Sequence, residues 1–422
     1  MPRRHIALSF CILLVACVVL YHHAELWLIT STLINVSSSW IWAFGPSIND
    51  PGAEPNVLGR EPFYRHIIAV GDLHGDMANA RKVLQFSGVV DEFGNWTGNA
   101  DFFVQTGDII DRGDDTIALF TWMDKLRGQA AGTGGTVLSL LGNHEWMNAI
   151  GDWRYVYPSE LNTFGSVAAR QKMLSTGRIG RSWARNYTTA ARLPLHPSLG
   201  PPNFPYPPPP ITSSSHIQKS DDLGSGAETK QDPLTHAAIS FVHGGLSPSY
   251  SNLSPFPTRI NEIGSSLLRK LQDRVQPPPH PPNPYPGLPA SATAEEHEMY
   301  GVNGPVWYRG WAENSEEQVC KEVDAVLDKT GTRRMIMGHT PNFRNIVSRC
   351  DGKIIIIDTG ISHAYGGVLS ALSIDYSLIP VMGQDGKEQW EEREVVTTLY
   401  ADWQEVIVDD VRLVEGHFQH WV

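Results

Sequence analysis

Short apolar runs of strand length, each leading into a polar motif, recur along this chain and most restrict how it can fold. His66-Ile67-Ile68-Ala69-Val70 runs into Gly71-Asp72-Leu73-His74-Gly75-Asp76, and Phe102-Phe103-Val104 leads to Gly107-Asp108-Ile109-Ile110-Asp111-Arg112-Gly113. Thr136 to Leu141 precedes Gly142-Asn143-His144-Glu145, Ala237 to Val242 precedes His243-Gly244-Gly245, and Arg334 to Met337 precedes Gly338-His339-Thr340. Helical spacing follows the first two motifs: Met77, Ala80, Val83 and Leu84, then Ile117, Leu119, Phe120, Met123 and Leu126. Further strand-type runs are Ile354 to Ile357, Val368 to Ile374 and Val395 to Leu399. Strands alternating with helices predict an α/β sandwich. Polar residues just after strands fall on loops at the carboxyl edge of a sheet, where open α/β folds gather their sites.

Taken singly, a Gly-Asp or a His-Gly-Gly is most often a turn. Jointly the motifs supply Asp72, His74, Asp108, Asn143, His243 and His339, and independent turns need not carry that set. Carboxylate, imidazole and amide oxygen are hard to borderline donors, suited to Mn, Fe or Zn. Two such ions ~3.5–4 Å apart can orient a nucleophile in line and absorb the charge on phosphoryl oxygens. Asp72 and His74 lie two apart, so a turning backbone aims both at one ion, and Asp108 is the natural bridging carboxylate. The pattern points to metal-dependent hydrolysis of phosphate esters.

The chain has 422 residues, enough for one domain of roughly 300 residues with tails and insertions. Its formal net charge of −12 argues against a nucleic-acid partner, which needs a basic footprint. Arg3 and Arg4 precede an apolar run from Ile6 to Leu20, shorter than the ~20 residues of a comfortable span. No pair of small residues suits cleavage, and a second apolar stretch, Leu26 to Ile34, follows. Residues 1–24 are therefore read first as an uncleaved signal anchor with the catalytic body in the secretory lumen. A removed signal peptide, giving a secreted protein, and a mitochondrial presequence with an inner-membrane span are the alternatives.

Residues 25–62 read as a stalk, residues 63–400 as the catalytic domain and residues 401–422 as a closing segment. From Trp390 onward, the acidic pairs Glu391-Glu392 and Asp409-Asp410 are expected to be solvated. Two proline-rich inserts, at about 193–232 and 277–289, lack apolar periodicity. They are expected to be extended loops, with a proline-reading partner or a cover over the cleft as alternatives. Cys320 and Cys350 fit either one disulfide or two buried thiols. Asn35, Asn95, Asn186 and Asn252 head glycosylation sequons, usable only in a secretory lumen.

From residue 65 to about 375 the chain resembles the metallophosphoesterase superfamily. The patterns GDxHG, GDxxDRG and GNHE resemble its phosphoprotein phosphatases, and His243-Gly244-Gly245-Leu246-Ser247-Pro248 resembles their fourth block. Trp307-Tyr308-Arg309-Gly310, Gly338-His339-Thr340-Pro341 and Ile357-Asp358-Thr359-Gly360 are most similar to the Shewanella-like protein phosphatases of the bacterial-like branch. The resemblance implies a four-layer β-sandwich flanked by helices and two divalent metals, Mn first, with Fe or Zn as alternatives. It implies Asp72, His74 and Asp108 on one ion, and Asp108, Asn143, His243 and His339 on the other. It further implies His144 as general acid, Asp111 orienting it, and Arg112 and Arg309 on phosphate oxygens. Arg344 and Arg349 compete with Arg309 for that last role. The expected substrate is a phosphoprotein or phosphopeptide, with nucleotides, dinucleoside polyphosphates or other small phosphate esters as the alternative.

Overall fold

Strand β1 (Phe63–Val70) parts its side chains between two cores, as period-two geometry requires. Ile67 and Ala69 join a cluster between two sheets, while Ile68 and Val70 join one beneath helices. These strands belong to a computed structural model that describes residues 60–209, 233–234, 236–383, 386–416 and 418. The N-terminal apolar segment lies outside the described residues, among which no helix is long and apolar enough to cross a membrane.

β1 pairs in parallel with β2 (Phe102–Gln105), and β3 (Thr136–Leu140) and β4 (Tyr187–Thr188) extend that run. The second sheet has the order β5-β6-β7-β9-β8, from β5 (Ala190–Pro194), β6 (Ala238–Val242), β7 (Arg334–Met337), β8 (Val347–Arg349) and β9 (Ile354–Ile356). An antiparallel meander, β10 (Ser370–Met382), β11 (Glu388–Tyr400) and β12 (Gln404–Val414), completes the first sheet on the free side of β1. Helices α1 (Met77–Phe86), α2 (Thr116–Ala131) and α3 (Asn143–Ile150) follow β1, β2 and β3 in turn. After them come α4 (Pro158–Phe164), α5 (Val167–Leu174) and α6 (Arg178–Asn186). Between β6 and β7 lie α7 (Thr258–Asp273), α8 (Ala294–Tyr300), α9 (Gly310–Glu313) and α10 (Glu316–Thr330).

The four layers follow from three apolar clusters. Phe103 and Val137 pack under Leu119, Phe120 and Met123 of α2; Val104, Phe241, Ile336 and Ile374 fill the space between sheets; Met335 and Ile354 meet Val319 and Val323 of α10. Each such side chain, fully buried, contributes about 1.5–3 kcal/mol. Cys320 of α10 forms a disulfide with Cys350, tying that helix to the turn between β8 and β9.

Three expectations change. First, the tail is only partly solvated: β11 and β12 are integral strands and Asp409 and Asp410 are exposed as expected, but Glu392 and Glu394 are buried. Their alternation points both carboxylates inward. There Arg333 donates to Glu392 at 2.8 Å and Glu394 at 2.9 Å, and Arg334 donates to Glu394 at 2.8 Å. Arg412 pairs with Glu392 and Arg334 with Asp410. Asp409 pairs at the surface with Arg393. Second, the unit that holds these sheets takes in Arg60 and the described residues beyond 400, for Arg60 pairs with Glu388 at 2.8 Å and lies over the Trp390 ring, and β12 pairs with β11. Third, the insert at 277–289 is an extended loop, as expected, but docked on the body: its His280 accepts the Trp153 amide at 2.6 Å and donates to the Gly151 carbonyl at 2.9 Å. The first insert begins as β5 and continues with the buried Leu195 and His196; its residues 210–232 lie outside the described residues.

Candidate metal centre

The parallel strands all point their carboxyl ends at one place. Asp72 and His74 follow β1, Asp108 and Asp111 follow β2, Asn143 and His144 open α3 after β3, His243 follows β6 and His339 follows β7. All eight are buried. Five residues of these loops hold left-handed backbone: His74 (φ 42°), Asp108 (54°), Asp111 (71°), Arg112 (60°) and His339 (69°). Non-glycine residues adopt that region at about 1–3 kcal/mol each, and it persists only where surrounding bonds over-determine it.

Those bonds are present. Leu73 and His74 donate amides to the Asp108 carbonyl at 3.0 and 2.9 Å, locking the first loop to the second. Glu145 accepts the amides of Asp108 at 2.9 Å, Ile109 at 2.8 Å and Gly142 at 2.8 Å, and so ties the second loop to the third. A side chain at position 142 would collide with Asp108 Oδ1, so only glycine permits this approach. Burial, together with Asp108 nearby, pushes the Glu145 carboxyl up to about 7 against these amide donors.

Asp108 sits at the middle of the donors. Its Oδ2 lies 3.3 Å from His243 Nε2, 3.6 Å from His74 Nε2 and 3.8 Å from His144 Nε2. The far nitrogens are occupied: His74 Nδ1 meets the Ile110 carbonyl at 3.1 Å and His243 Nδ1 the Thr106 carbonyl at 2.9 Å. Carbonyls only accept, so each Nδ1 carries a proton and each ring turns its Nε2 inward. His243 Nε2 lies 2.8 Å from Asn143 Oδ1, so an imidazole nitrogen and an amide oxygen converge. His339 Nε2 is buried without a partner, beside the His243 ring at 4.9 Å. Burial, then the His144 charge, lowers His74 to about 3, and burial with His243 lowers His339, so both rings are neutral ligands in waiting.

The carboxylates carry the complementary charge. Burial would raise Asp108, but His243 and His144 outweigh it and hold it well below the usual range. Asp72 is pushed well up by burial, then by Asp358 and Asp108. Burial raises Asp358 to about 6, and it hydrogen-bonds with Asp72. Converging imidazole, carboxylate and amide donors, an orphaned imidazole nitrogen and crowded carboxyls fit bound divalent cations. Glu316, Cys320 and Cys350 also cluster, but the sulfurs are spent in the disulfide.

His144 stands beside this group rather than within it. Its Nδ1 meets Asp111 Oδ2 at 2.7 Å, and its ring lies 4.9 Å from Tyr155. Burial alone would depress it, yet Asp108 and then Asp111 hold its pKa above the ordinary value. Arg112 is sandwiched between Tyr155 at 4.2 Å and Tyr365 at 4.9 Å, its Nε unpartnered. Arg309 donates to the His339 carbonyl at 2.8 Å and Thr340 Oγ1 at 3.0 Å, which brings its guanidinium to the same cleft. Arg349 is engaged elsewhere, with Glu316 and the Trp311 and Asn314 carbonyls, and Arg344 is exposed. A cavity of about 570 Å³ opens next to these groups, lined among others by Met147, Tyr155, Tyr285, Tyr300, Trp307 and Arg309.

Sequence reasoning gave no role to Asp358, Asn148, Glu160, Arg170 or Tyr155. Asn148 carried a usable signal, being four residues after His144 on one helix face. His363 is largely exposed and meets Asp76 at 2.8 Å, the carboxylate that caps α1.

The calcineurin-like phosphoesterase family profile matches residues 65–343, and the chain belongs to that family. Within it, the chain is similar to Shewanella-like protein phosphatase 2 of Arabidopsis thaliana, 27% identical over 332 residues, 74% of this chain and 76% of the relative. Shewanella-like protein phosphatase 1 of Plasmodium berghei is 25% identical over 301 residues, covering 70% and 67%. An uncharacterized protein of Schizosaccharomyces pombe is 33% identical over 329 residues, covering 77% and 81%. In fold, the chain is similar to the cold-active protein-tyrosine phosphatase of a psychrophilic Shewanella (TM-score 0.52, 20% identity, 82% of this chain and 80% of that one). A point mutant of a cold-active protein tyrosine phosphatase gives a TM-score of 0.55 at 20% identity, with 82% and 80% coverage.

Proposed function

We propose that this chain removes phosphate from phosphoproteins, with phosphotyrosine the preferred side chain. The observation that carries the reading is the His144–Asp111 pair, 2.7 Å apart, set directly beside the Asp108-centred donors. Asp72, His74 and Asp108 would hold one divalent ion, and Asp108, Asn143, His243 and His339 the other. Bound there, two ions supply a nucleophile at neutral pH and neutralise phosphoryl charge; manganese is the expected metal. Arg112 and Arg309 would grip phosphate oxygens with planar donors. Pinned between two rings, Arg112 is pre-oriented for this. His144, protonated and oriented by Asp111, gives its Nε2 proton to the leaving oxygen.

Tyrosine preference rests on what surrounds that proton. Tyr155 packs on His144 and Trp307 packs on His339 at 5.6 Å, so the cavity they share with Tyr285 and Tyr300 lies where the leaving group emerges. Aromatic walls favour an aryl alcohol over the short side chains of serine and threonine. Phosphotyrosine, phosphoserine and phosphothreonine peptides, together with dinucleoside polyphosphates, should be assayed with the full chain and added manganese. Preferential release from phosphotyrosine peptides is expected. Faster cleavage of dinucleoside polyphosphates than of every peptide would sink the reading.

Residues 1–24 are proposed as an uncleaved signal anchor that holds the catalytic body in the secretory lumen, where the sequons become usable. Support comes from the basic start, the apolar runs and the lack of a cleavage site. Extraction by alkaline carbonate, or import into mitochondria, would contradict it. The first insert keeps the proposal of a proline-reading partner at Pro207 to Pro210, to be checked by replacing those prolines and testing association with SH3 or WW domains.

A further inference from the structure

Behind the proton donor stands a buried guanidinium that no step above uses. Arg170 of α5 has no solvent exposure. It donates to Asn148 Oδ1 at 2.7 Å and to Glu160 Oε2 at 3.1 Å, and comes within 3.5 Å of Asp111 Oδ1. Its guanidinium lies 4.4 Å over the Trp153 ring and 5.3 Å from that of Phe164. Asn148 passes the contact on, donating to Asp111 Oδ1 and to the His144 carbonyl, each at 2.9 Å. The two oxygens of Asp111 are thereby divided: Oδ1 faces Asn148 and Arg170, and Oδ2 faces His144 Nδ1 at 2.7 Å.

Taking a guanidinium out of water is unfavourable, and a packed apolar group of the same volume is often as stable. Stability alone therefore does not account for this one. Glu160 matches its charge, but the fork reaches past Glu160 to the carboxylate that orients the imidazole. Aromatic rings on its face and hydrogen bonds at its edge leave it little freedom to move.

We propose that Arg170 is a positioning residue for proton delivery. Through Asn148 and Asp111 it fixes the orientation of Asp111, and with it the aim of the His144 Nε2 proton. The inference rests on the function proposed above. As the bond from phosphorus to the leaving oxygen breaks, its electron pair stays on that oxygen, which takes the Nε2 proton. The Nδ1 proton stays on the ring, held to Asp111.

The readout is dependence on the leaving group. With manganese and the full chain, turnover of p-nitrophenyl phosphate needs little proton help, whereas phenyl phosphate has a far more basic leaving oxygen. Arg170→Met should lower kcat on phenyl phosphate by about 10–100-fold, as loss of an outer-shell partner does. On p-nitrophenyl phosphate it should lose no more than about 3-fold. Arg170→Lys keeps the charge without the fork and should move the ratio the same way, less far. In metal-free protein labelled with nitrogen-15 histidine, the His144 Nδ1 proton, identified by its absence in His144→Ala, should be visible in wild type and lost in Arg170→Met. Equal losses on both esters at unchanged Tm, with that proton retained, would overturn the inference. Should Arg170→Met not fold, the same ratio in Arg170→Lys decides. A wild-type protein that cleaves neither ester would overturn the proposed function, and this inference with it.

Discussion

The carboxylate of Glu145 accepts the backbone amide of Asp108 at 2.9 Å, so the residue after the proton donor holds the loop of the central ligand. Glu145 therefore acts on the backbone of the site and touches no substrate. Glu145→Gln keeps the volume but turns an amide NH₂ toward the amides of Asp108, Ile109, Ile110 and Gly142. The expected loss is about 1–3 kcal/mol of stability, with metal affinity falling roughly 10–100-fold. Thermal unfolding and calorimetric manganese titration measure the two effects separately, and unchanged manganese affinity would contradict the assignment.

Asp358 stands beside Asp72, and burial raises it to about 6. In metal-free protein the folded state therefore holds a proton that the unfolded chain releases earlier. The resulting stability is complete below the ordinary carboxylate range and is lost as pH rises through about 6. Asp358→Asn removes one charge of the pair. Without metal, the variant should gain in Tm relative to wild type as pH rises through that window. Added manganese should cancel or reverse the difference. A Tm difference independent of pH would count against the coupling.

Arg112, held between Tyr155 and Tyr365, should tolerate little change. Arg112→Lys keeps the charge but loses both the planar fork and the stacking. A loss of roughly 100-fold in kcat/KM is expected, the scale of removing one transition-state donor. Steady-state kinetics on a phosphotyrosine peptide provide the test, and a loss confined to a few-fold would remove Arg112 from the phosphate site.

Burial would raise the Glu392 carboxyl, but Arg333 and Arg412 hold it below the usual range. A depressed folded pKa means the opposite sign from Asp358: stability is present above the ordinary carboxylate range and lost as pH falls through the folded value. Glu392→Gln should cost roughly 1–3 kcal/mol at neutral pH and flatten the acid side of the stability curve. Denaturant melts across pH measure this, and kcat should stay within a few-fold of wild type.

The linear sequence determined the strand ends and the donor types. Strand-type runs place Asp72, Asp108, Asn143, His243 and His339 at carboxyl ends of strands, because parallel strands of a sheet share one carboxyl edge; that the edges of two sheets meet at one site is a matter of tertiary packing. The same locality made Asp111 readable as the partner of His144, through the resemblance of the two motifs. Tertiary structure decided the rest. Arg170 reaches Asp111 from 59 residues away, Asp358 meets Asp72, and Glu392 meets Arg333 only because the two sheets face each other. No spacing rule encodes such pairs: each lone Arg or Glu looks like a solvated charge until folding removes its water. The docked proline-rich loop and the buried Glu392 misled for that reason. Composition records polarity, whereas burial depends on what a distant segment places opposite.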